Sequence, residues 1–394
     1  MAVQQVREGV FSVGSRDWDR RLFDELIPLP DGTSYNSYVI QASEKTVLID
    51  TVDPEKTHEL LANLNTLKID HLDYLVCNHA EQDHSGSIPV ILELFPDVKV
   101  VTNEKCRSFL IDLLEIPEKR IQTVSDGDTI SLGDKSLKFV FTPWVHWPET
   151  MCTFLAEEKI LFSCDFFGSH LATSDLFVRN MPRVIEDAKR YYAEIMMPFR
   201  AVVKKNIEKI EQLDFELIAP SHGPIYSDTG AILDAYRNWV SDTVENQVVI
   251  AYVSMHGSTE KMIHYLLEQI MEKGIAVKLF NLIETDLGQL AMSLVDCATL
   301  VIGTPTVLTG PHPAAVYAST LVNVLKPKLK FATVVGSYGW GGRTVDMIQN
   351  NLSNLKAEFL EPVLIKGHPK SDDYRLLDKL AKTIASKHKE KINQ

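Results

Sequence analysis

A chain of 394 residues exceeds what one hydrophobic core ordinarily serves, so two domains are the simplest expectation. Its composition is 45% hydrophobic and 24% charged, without low-complexity tracts or internal repeats, which excludes a disordered or fibrous protein. The net charge of −13 opposes nucleic-acid phosphate, and with no N-terminal apolar h-region and no run of about 18 apolar residues the expected compartment is the cytoplasm, away from any membrane.

Through about residue 245, short β-rich runs alternate with turns. In chain order they are VFSV, SYNSYVI, KTVLIDT, HLDYLVCNH, VKVVTN, TISLG, LKFVFTP, MCTFLAEEKILFSCD and ELIAPSH. Helical patterns interrupt them in THELLANLNTLK and after Ser87. This alternation predicts an α/β sandwich with mixed sheets.

From Asn246 the pattern becomes regular: strand VVIAYVS, helix STEKMIHYLLEQIMEKG, strand AVKLFNL, a helical region, and strand ATLVIGTPT. A helix around AAVYASTLVNVL, strand FATVVGSYGW, a further helix, strand FLEPVLIKGH and helix YRLLDKLAKTIASK complete it. Strand–helix repetition predicts a parallel, doubly wound sheet with ligand loops at the carboxyl ends of its strands. The change of pattern at residues 241–247 divides the chain into domains 1–245 and 246–394.

The five cysteines are scattered and form no C-x-x-C pair. Neither a disulfide framework nor an iron–sulfur or rubredoxin-type site is expected. Core packing explains them, Cys164 included, although it precedes Asp165 directly.

In LVCNHAEQDHSG an apolar run ends in His79, Glu81, Asp83 and His84. While the chain is extended, His79 and Glu81 point to one side, and the turn that follows can carry Asp83 and His84 to a second metal. A single His or Asp at a strand end is ordinarily a solvated or capping residue. Four within six positions would repel one another, or stay buried without partners, unless a cation collected them. His146 in TPWVHWPET, Asp165 in LFSCDFFG and His222 in LIAPSHGPIY extend the series at later strand ends.

The ordered series H-x-E-x-D-H, H, D, H resembles the metallo-β-lactamase signature, with Glu81 in place of the usual second His. That replacement, with the HWPET segment at 146–150, resembles the flavodiiron branch. Three carboxylates among four imidazoles also provide harder donors than zinc hydrolases use, which suits iron. The resemblance implies that His79, Glu81 and His146 hold one iron, that Asp83, His84 and His222 hold the other, and that Asp165 bridges. The fold it implies is a metallo-β-lactamase-like αββα sandwich followed by a flavodoxin-like domain.

In the second domain, Ser254, Met255, His256, Gly257, Ser258 and Thr259 form a hydroxyl-rich loop opening a helix, where N–H groups and the helix terminus favour a phosphate. No G-x-G-x-x-G fingerprint is present, so FMN fits better than a dinucleotide. Thr304, Pro305, Thr306 and Val307 in GTPTVLTG, and Ser337, Tyr338, Gly339, Trp340 and Gly341 in GSYGWGG, are placed to meet an isoalloxazine ring. Singly, each loop reads equally well as a helix cap or a turn. Their succession at strand ends of a flavodoxin-like sheet makes the case for FMN.

Family members often carry a His where this chain has Asp24, within RRLFDELIPLPDGTSYNSY. His170 in FFGSH, and Tyr191 or Tyr192 in KRYYAEIMMPF, are further candidates beside the metals, with core packing as the alternative. Trp147 is expected to fix the His146 ring.

The resemblance implies an oxidoreductase that passes electrons from an external donor through FMN to a diiron site, reducing dioxygen to water, nitric oxide to nitrous oxide, or both. Rubredoxin or a reduced deazaflavin would be the donor. The assembly would be a head-to-tail homodimer, or a dimer of two such dimers. The rival reading is a metal-dependent hydrolase with a regulatory flavodoxin-like domain, against which Glu81 and the FMN loops both stand.

Overall fold

The computed structural model describes residues 3–392, and the chain divides into two compact units, Met1–Val240 and Ser241–Gln394. The first unit contains a seven-stranded sheet and a five-stranded sheet. Strands Tyr38–Gln41, Thr46–Ile49, Tyr74–Val76 and Lys99–Asn103 lie consecutively in the former; Ser136–Phe141, Met151–Leu155, Ile160–Cys164 and Leu217–Pro220 lie consecutively in the latter.

Alternation decides which side chains meet. Val47, Ile49 and Val76 pack with Leu137, Phe139 and Phe162 of the other sheet. Leu48, Leu75 and Val100 turn to the opposite face, against Leu60 and Leu64 of helix Thr57–Thr66 and Leu110 of helix Glu104–Leu114. Fully burying such side chains contributes about 1.5–3 kcal/mol each. Helices Arg200–Ile210 and Thr229–Val240 flank the second sheet, where Asn206 donates to the carbonyl of Pro143 at 3.0 Å. The result is an αββα sandwich.

In the second unit the parallel strands Ala276–Asn281, Glu245–Tyr252, Cys297–Val307 and Phe331–Tyr338 are neighbours in that order. Val248 and Ile250 face helices Ser258–Met271 and Ser371–Lys391, while Val249 and Ala251 face helices Leu287–Leu294 and Pro313–Leu325. Helices on both faces make this the doubly wound sheet expected. The run FLEPVLIKGH differs from the single strand expected: it forms two pieces, Glu358–Phe359 and Val363–Lys366, separated around Pro362, which has no N–H for a ladder. The first strand of the unit begins at Glu245, so the division at 245/246 falls just inside it. No helix among the described residues is long and apolar enough to cross a membrane.

Candidate metal centre and cofactor loops

The metal-type residues all lie where strands of the first unit give way to loops. Strand Tyr74–Val76 is short, so His79 and Glu81 sit on the connection rather than on extended chain, and a one-turn helix, Gln82–Ser85, swings Asp83 and His84 to the other side. Asp165 directly follows strand Ile160–Cys164, and His222 follows strand Leu217–Pro220.

Two groups result: His79, Glu81, His146 and Asp165, and Asp83, His84 and His222, with the candidate ligand atoms within each group at most 4.8 Å apart. Glu81 Oε2 lies 3.1 Å from His79 Nε2 and 3.0 Å from His146 Nε2. Asp165 faces both groups. Its Oδ2 is 3.4 Å from the Nε2 atoms of His79 and His146, and its Oδ1 is 3.0 Å from that of His84 and 3.4 Å from that of His222.

Both oxygens of Asp83, both oxygens of Asp165 and both ring nitrogens of His84 are buried and make no hydrogen bond of good geometry, although histidine nitrogens stand 3.0–3.4 Å from these carboxylates. Such a concentration of orphaned polar atoms costs several kcal/mol in an apolar interior and fits a cation bound among them. Burial lowers the basicity of His146, but contacts with Asp165 and Glu81 outweigh it and carry its pKa up to about 9. His222 rises to about 10 in the same way, through Asp165 and Asp83. Burial works against ionised Glu81 and Asp165 too, yet the surrounding imidazoles hold both well below the usual carboxylate range. Protons and a metal compete for the same imidazole nitrogens, so a cation replaces protons here.

The partners that orient the rings were not visible in the sequence. Glu149 Oε1 lies 2.7 Å from His79 Nδ1 and also accepts from the Ala80 N–H, while His222 Nδ1 donates to the Ser34 carbonyl at 2.6 Å. Each arrangement leaves Nε2 free toward the cluster. Glu149 lies inside HWPET, three residues after His146, and that spacing was its only signal. Beneath the ligand loop, Asp50 accepts from the Asn78 N–H and side-chain amide at 2.7 and 2.8 Å. Burial pushes Asp50 up to about 6 against these contacts.

Of the remaining candidates, Tyr191 is buried with its ring 4.8 Å from that of His170 and 5.7 Å from that of His222. Burial, then the Asp165 and Asp83 carboxylates, push its hydroxyl well above the usual tyrosine value, so it stays protonated. His170 Nδ1 pairs with Thr33 Oγ1 at 2.9 Å, and its Nε2 is buried without a partner. Burial and neighbouring His222 keep His170 neutral.

Tyr192 points elsewhere. Its ring packs against Tyr236 and Trp239, and its hydroxyl donates to the Trp239 carbonyl, so packing accounts for it. Asp24 stands on the rim of a cleft of about 550 Å³ that reaches Glu81, Asp83 and Trp147, and burial followed by Glu81 and Asp83 raises it to about 6. Trp147 lies edge-on to His79 at 5.0 Å, closer than to His146 at 6.3 Å, so it bears mainly on the former. Cys164 Sγ comes within 4.8 Å of the His84 and Asp165 ligand atoms, although burial holds its thiol well above the usual value.

In the second unit the loop 253–257 joins strand Glu245–Tyr252 to helix Ser258–Met271. Gly257, with φ of 79°, precedes that helix and makes no side-chain cap, which leaves the N–H groups of Ser258 and Thr259 open to an anion. Ser254 Oγ accepts from the Glu260 N–H at 3.3 Å. Thr259 and Ser337 are both buried with hydroxyls 3.3 Å apart, and Thr306 Oγ1 meets Thr344 Oγ1 at 2.7 Å. Thr304 is fully buried, its hydroxyl bonded to Pro305 O and His312 N, so only its backbone can serve a ligand. Trp340 is 73% exposed, as a surface for a planar ring requires, and Met255 is also exposed. A Cβ at Gly339 or Gly341 would meet nothing within 4 Å, so both border open space.

Known proteins carry the same pairing. Residues 33–223 match the family described as ODP family beta lactamase, and residues 250–377 match flavodoxin. The nitric oxide reductase of Moorella thermoacetica is 34% identical over 97% of this chain and 98% of its own length; the coenzyme F420H2 oxidase of Methanothermobacter marburgensis is 33% identical over 86% and 87%. Among solved structures, rubredoxin oxygen:oxidoreductase from Desulfovibrio gigas superposes with a TM-score of 0.96 at 31% identity over 100% of both chains. The flavodiiron protein of Giardia intestinalis superposes at 0.91 and 28% identity over 98% of both.

Likeness along the full length to enzymes that unite these two folds fixes the class, an oxidoreductase made of a lactamase-type metal domain and a flavodoxin-type domain. The chain belongs to the flavodiiron family, whose cofactors are FMN and a pair of iron ions.

Proposed function

We propose that the protein passes electrons from an external donor by way of FMN and an iron pair to dioxygen, giving water (four electrons and four protons per molecule), to nitric oxide, giving nitrous oxide (two of each per pair of molecules), or to both. In this reading His79, Glu81 and His146 hold one iron, Asp83, His84 and His222 hold the other, and Asp165 bridges. The observation that carries it is the division of Asp165, with one oxygen toward the His79–His146 side and one toward the His84–His222 side. When bound, the iron pair supplies electrons and open positions for a small diatomic molecule.

The chain's own groups do the rest. Glu149 and Ser34 fix the tautomers of His79 and His222, and Tyr191 offers a protonated hydroxyl beside Asp165. Loops 254–259, 304–307 and 337–341 hold FMN, the open helix terminus taking its phosphate and Trp340 its ring. Rubredoxin or a reduced deazaflavin supplies the electrons. The names of two similar proteins, rubredoxin oxygen:oxidoreductase and coenzyme F420H2 oxidase, support this choice.

Steady-state turnover with each donor, under dioxygen and separately under nitric oxide, tests the proposal. Zinc-loaded protein that hydrolyses esters or lactams and consumes neither gas would overturn it.

Catalysis on this reading joins the FMN of one chain to the irons of its twofold partner, head to tail, singly or as a dimer of dimers. Supporting it are the separate folding of the two units and the prevalence of closed dimers. Mixed dimers of an iron-deficient variant (Glu81→Ala with Asp165→Ala) and an FMN-deficient variant (Ser258→Glu with Thr259→Glu) should regain activity, because one of their two sites is intact. Inactive mixed dimers would contradict pairing across chains.

A further inference from the structure

Behind the metal ligand His79 lies a pair of cysteines with no part in the reaction described above. Cys77 and Cys106 are 29 positions apart and both wholly buried, yet their sulfurs are 3.9 Å apart, in van der Waals contact. Cys77 directly follows strand Tyr74–Val76 on the connection that leads to His79, and its thiol lies 3.0 Å from the His79 carbonyl, to which it donates. Cys106 stands in the first turn of helix Glu104–Leu114, whose cap, Asn103, accepts from the Cys106 N–H at 2.9 Å.

The amide of Asn103 donates to the carbonyl of Glu149 at 2.5 Å, and the Glu149 carboxylate holds the His79 ring. Both cysteines are therefore connected to His79, Cys77 through its thiol on the His79 carbonyl and Cys106 through its N–H to Asn103 and onward to Glu149, which holds the ring.

We propose that Cys77 and Cys106 are a redox modification site: a dithiol that a small peroxide converts to a disulfide, loosening the hold on the iron beside His79. One sulfur attacks an oxygen of hydrogen peroxide, the O–O bond breaks, and a sulfenic acid and water form. The second sulfur then displaces the hydroxyl as a second water. Two thiols lose two electrons and two protons, and one peroxide becomes two waters.

The sulfurs must close from 3.9 Å to about 2.0 Å, which rotates both side chains and draws strand end and helix start together. The disulfide has no S–H, so the His79 carbonyl loses its donor while Asn103 moves against Glu149. Both sulfurs are wholly buried, so disulfides such as oxidised glutathione are excluded and an oxidant that reaches the pair must be small. That the pair governs iron retention rests on the assignment of His79 as an iron ligand; the formation of the cross-link does not.

The test treats reduced holoenzyme, and separately iron-depleted protein, with hydrogen peroxide under anaerobic conditions. Unfolding in an alkylating agent and peptide mapping follow. The expected result is one cross-link joining the peptides of Cys77 and Cys106, reversed by dithiothreitol and absent from Cys106→Ser. After identical peroxide treatment, iron loss to EDTA, counted as total iron, should be severalfold faster from wild type than from Cys106→Ser. Methionine oxidation reached with Cys77 and Cys106 still free in both preparations overturns the proposal. A cross-link with unaltered iron release overturns the coupling to His79. Reduced protein that binds no iron, yet still forms the cross-link, would sink the diiron assignment and leave the thiol chemistry standing.

Discussion

At Asp165 each carboxylate oxygen faces a different pair of histidines, and no other carboxylate in the cluster is placed in that way. The seven candidate ligands, which the structure gathers into two groups, could be picked out of the sequence because metal chemistry selects residue type, and types are visible in a string of letters. The groups that orient them were not, because the partners of His79 and His222 lie 70 and 188 positions away, and one of them is a backbone carbonyl. Glu149→Ala should therefore lower iron affinity by about 10–100-fold with FMN content unchanged, by analogy with other ring-orienting carboxylates. Chelator competition measures it, and a shift below about threefold would show that packing by Trp147 orients His79 unaided. The raised His146 and His222 pKa values give a second expectation. Near pH 7.5 both rings hold protons that a cation must displace, so adding ferrous or cobaltous ion to iron-depleted protein should release protons, and apparent affinity should rise with pH up to about 9–10. Metal binding with no proton release in a weakly buffered titration would contradict it.

At the scale of elements, alternation and helical period were enough to place most strands and helices, since one face of each is buried. They failed where a local event intervenes. Pro362 breaks an expected strand in two; Tyr191 and Tyr192, left as alternatives by the sequence, diverge because neighbouring helical residues point about 100° apart, one toward the metal-type cluster and one into the core. Two scattered cysteines became neighbours for a long-range reason: strand order brings Tyr74–Val76 beside Lys99–Asn103, and a cysteine follows each, Cys77 at once and Cys106 in the first turn of the next helix. The helix Ser371–Lys391 carries a buried His388 whose ring bonds Thr299 Oγ1 at 2.7 Å and Asn246 Oδ1 at 2.8 Å. Burial lowers its pKa to about 4. The unfolded chain holds that proton more tightly, with a pKa of about 6.5, so this site's contribution to stability is full above about pH 6.5 and is lost as the pH falls toward 4. Thermal unfolding of wild type and His388→Gln between pH 7.5 and 5 should converge as the pH drops. Parallel curves would remove His388 as the source.

For the whole molecule, two different patterns along one chain announced two folds, and each fold places its chemistry at strand ends, where loops are free to carry ligands. What no pattern reveals is which side chains serve packing and which serve the cofactors, as buried Thr304 and Tyr192 show. The donor and the preferred gas also depend on surfaces and pocket shape that one-dimensional periodicity does not encode. The central claim is that seven side chains hold two irons as a bridged pair in a chain that also holds one FMN. Its most direct test is metal and flavin analysis of protein expressed with ample iron, together with electron paramagnetic resonance of the half-reduced state, on wild type and Asp165→Ala. The expected result is about two irons and one FMN per chain, a spin-coupled mixed-valence signal, and loss of that signal in Asp165→Ala with FMN retained. Stoichiometric zinc, or two magnetically independent irons unaffected by Asp165→Ala, would contradict it.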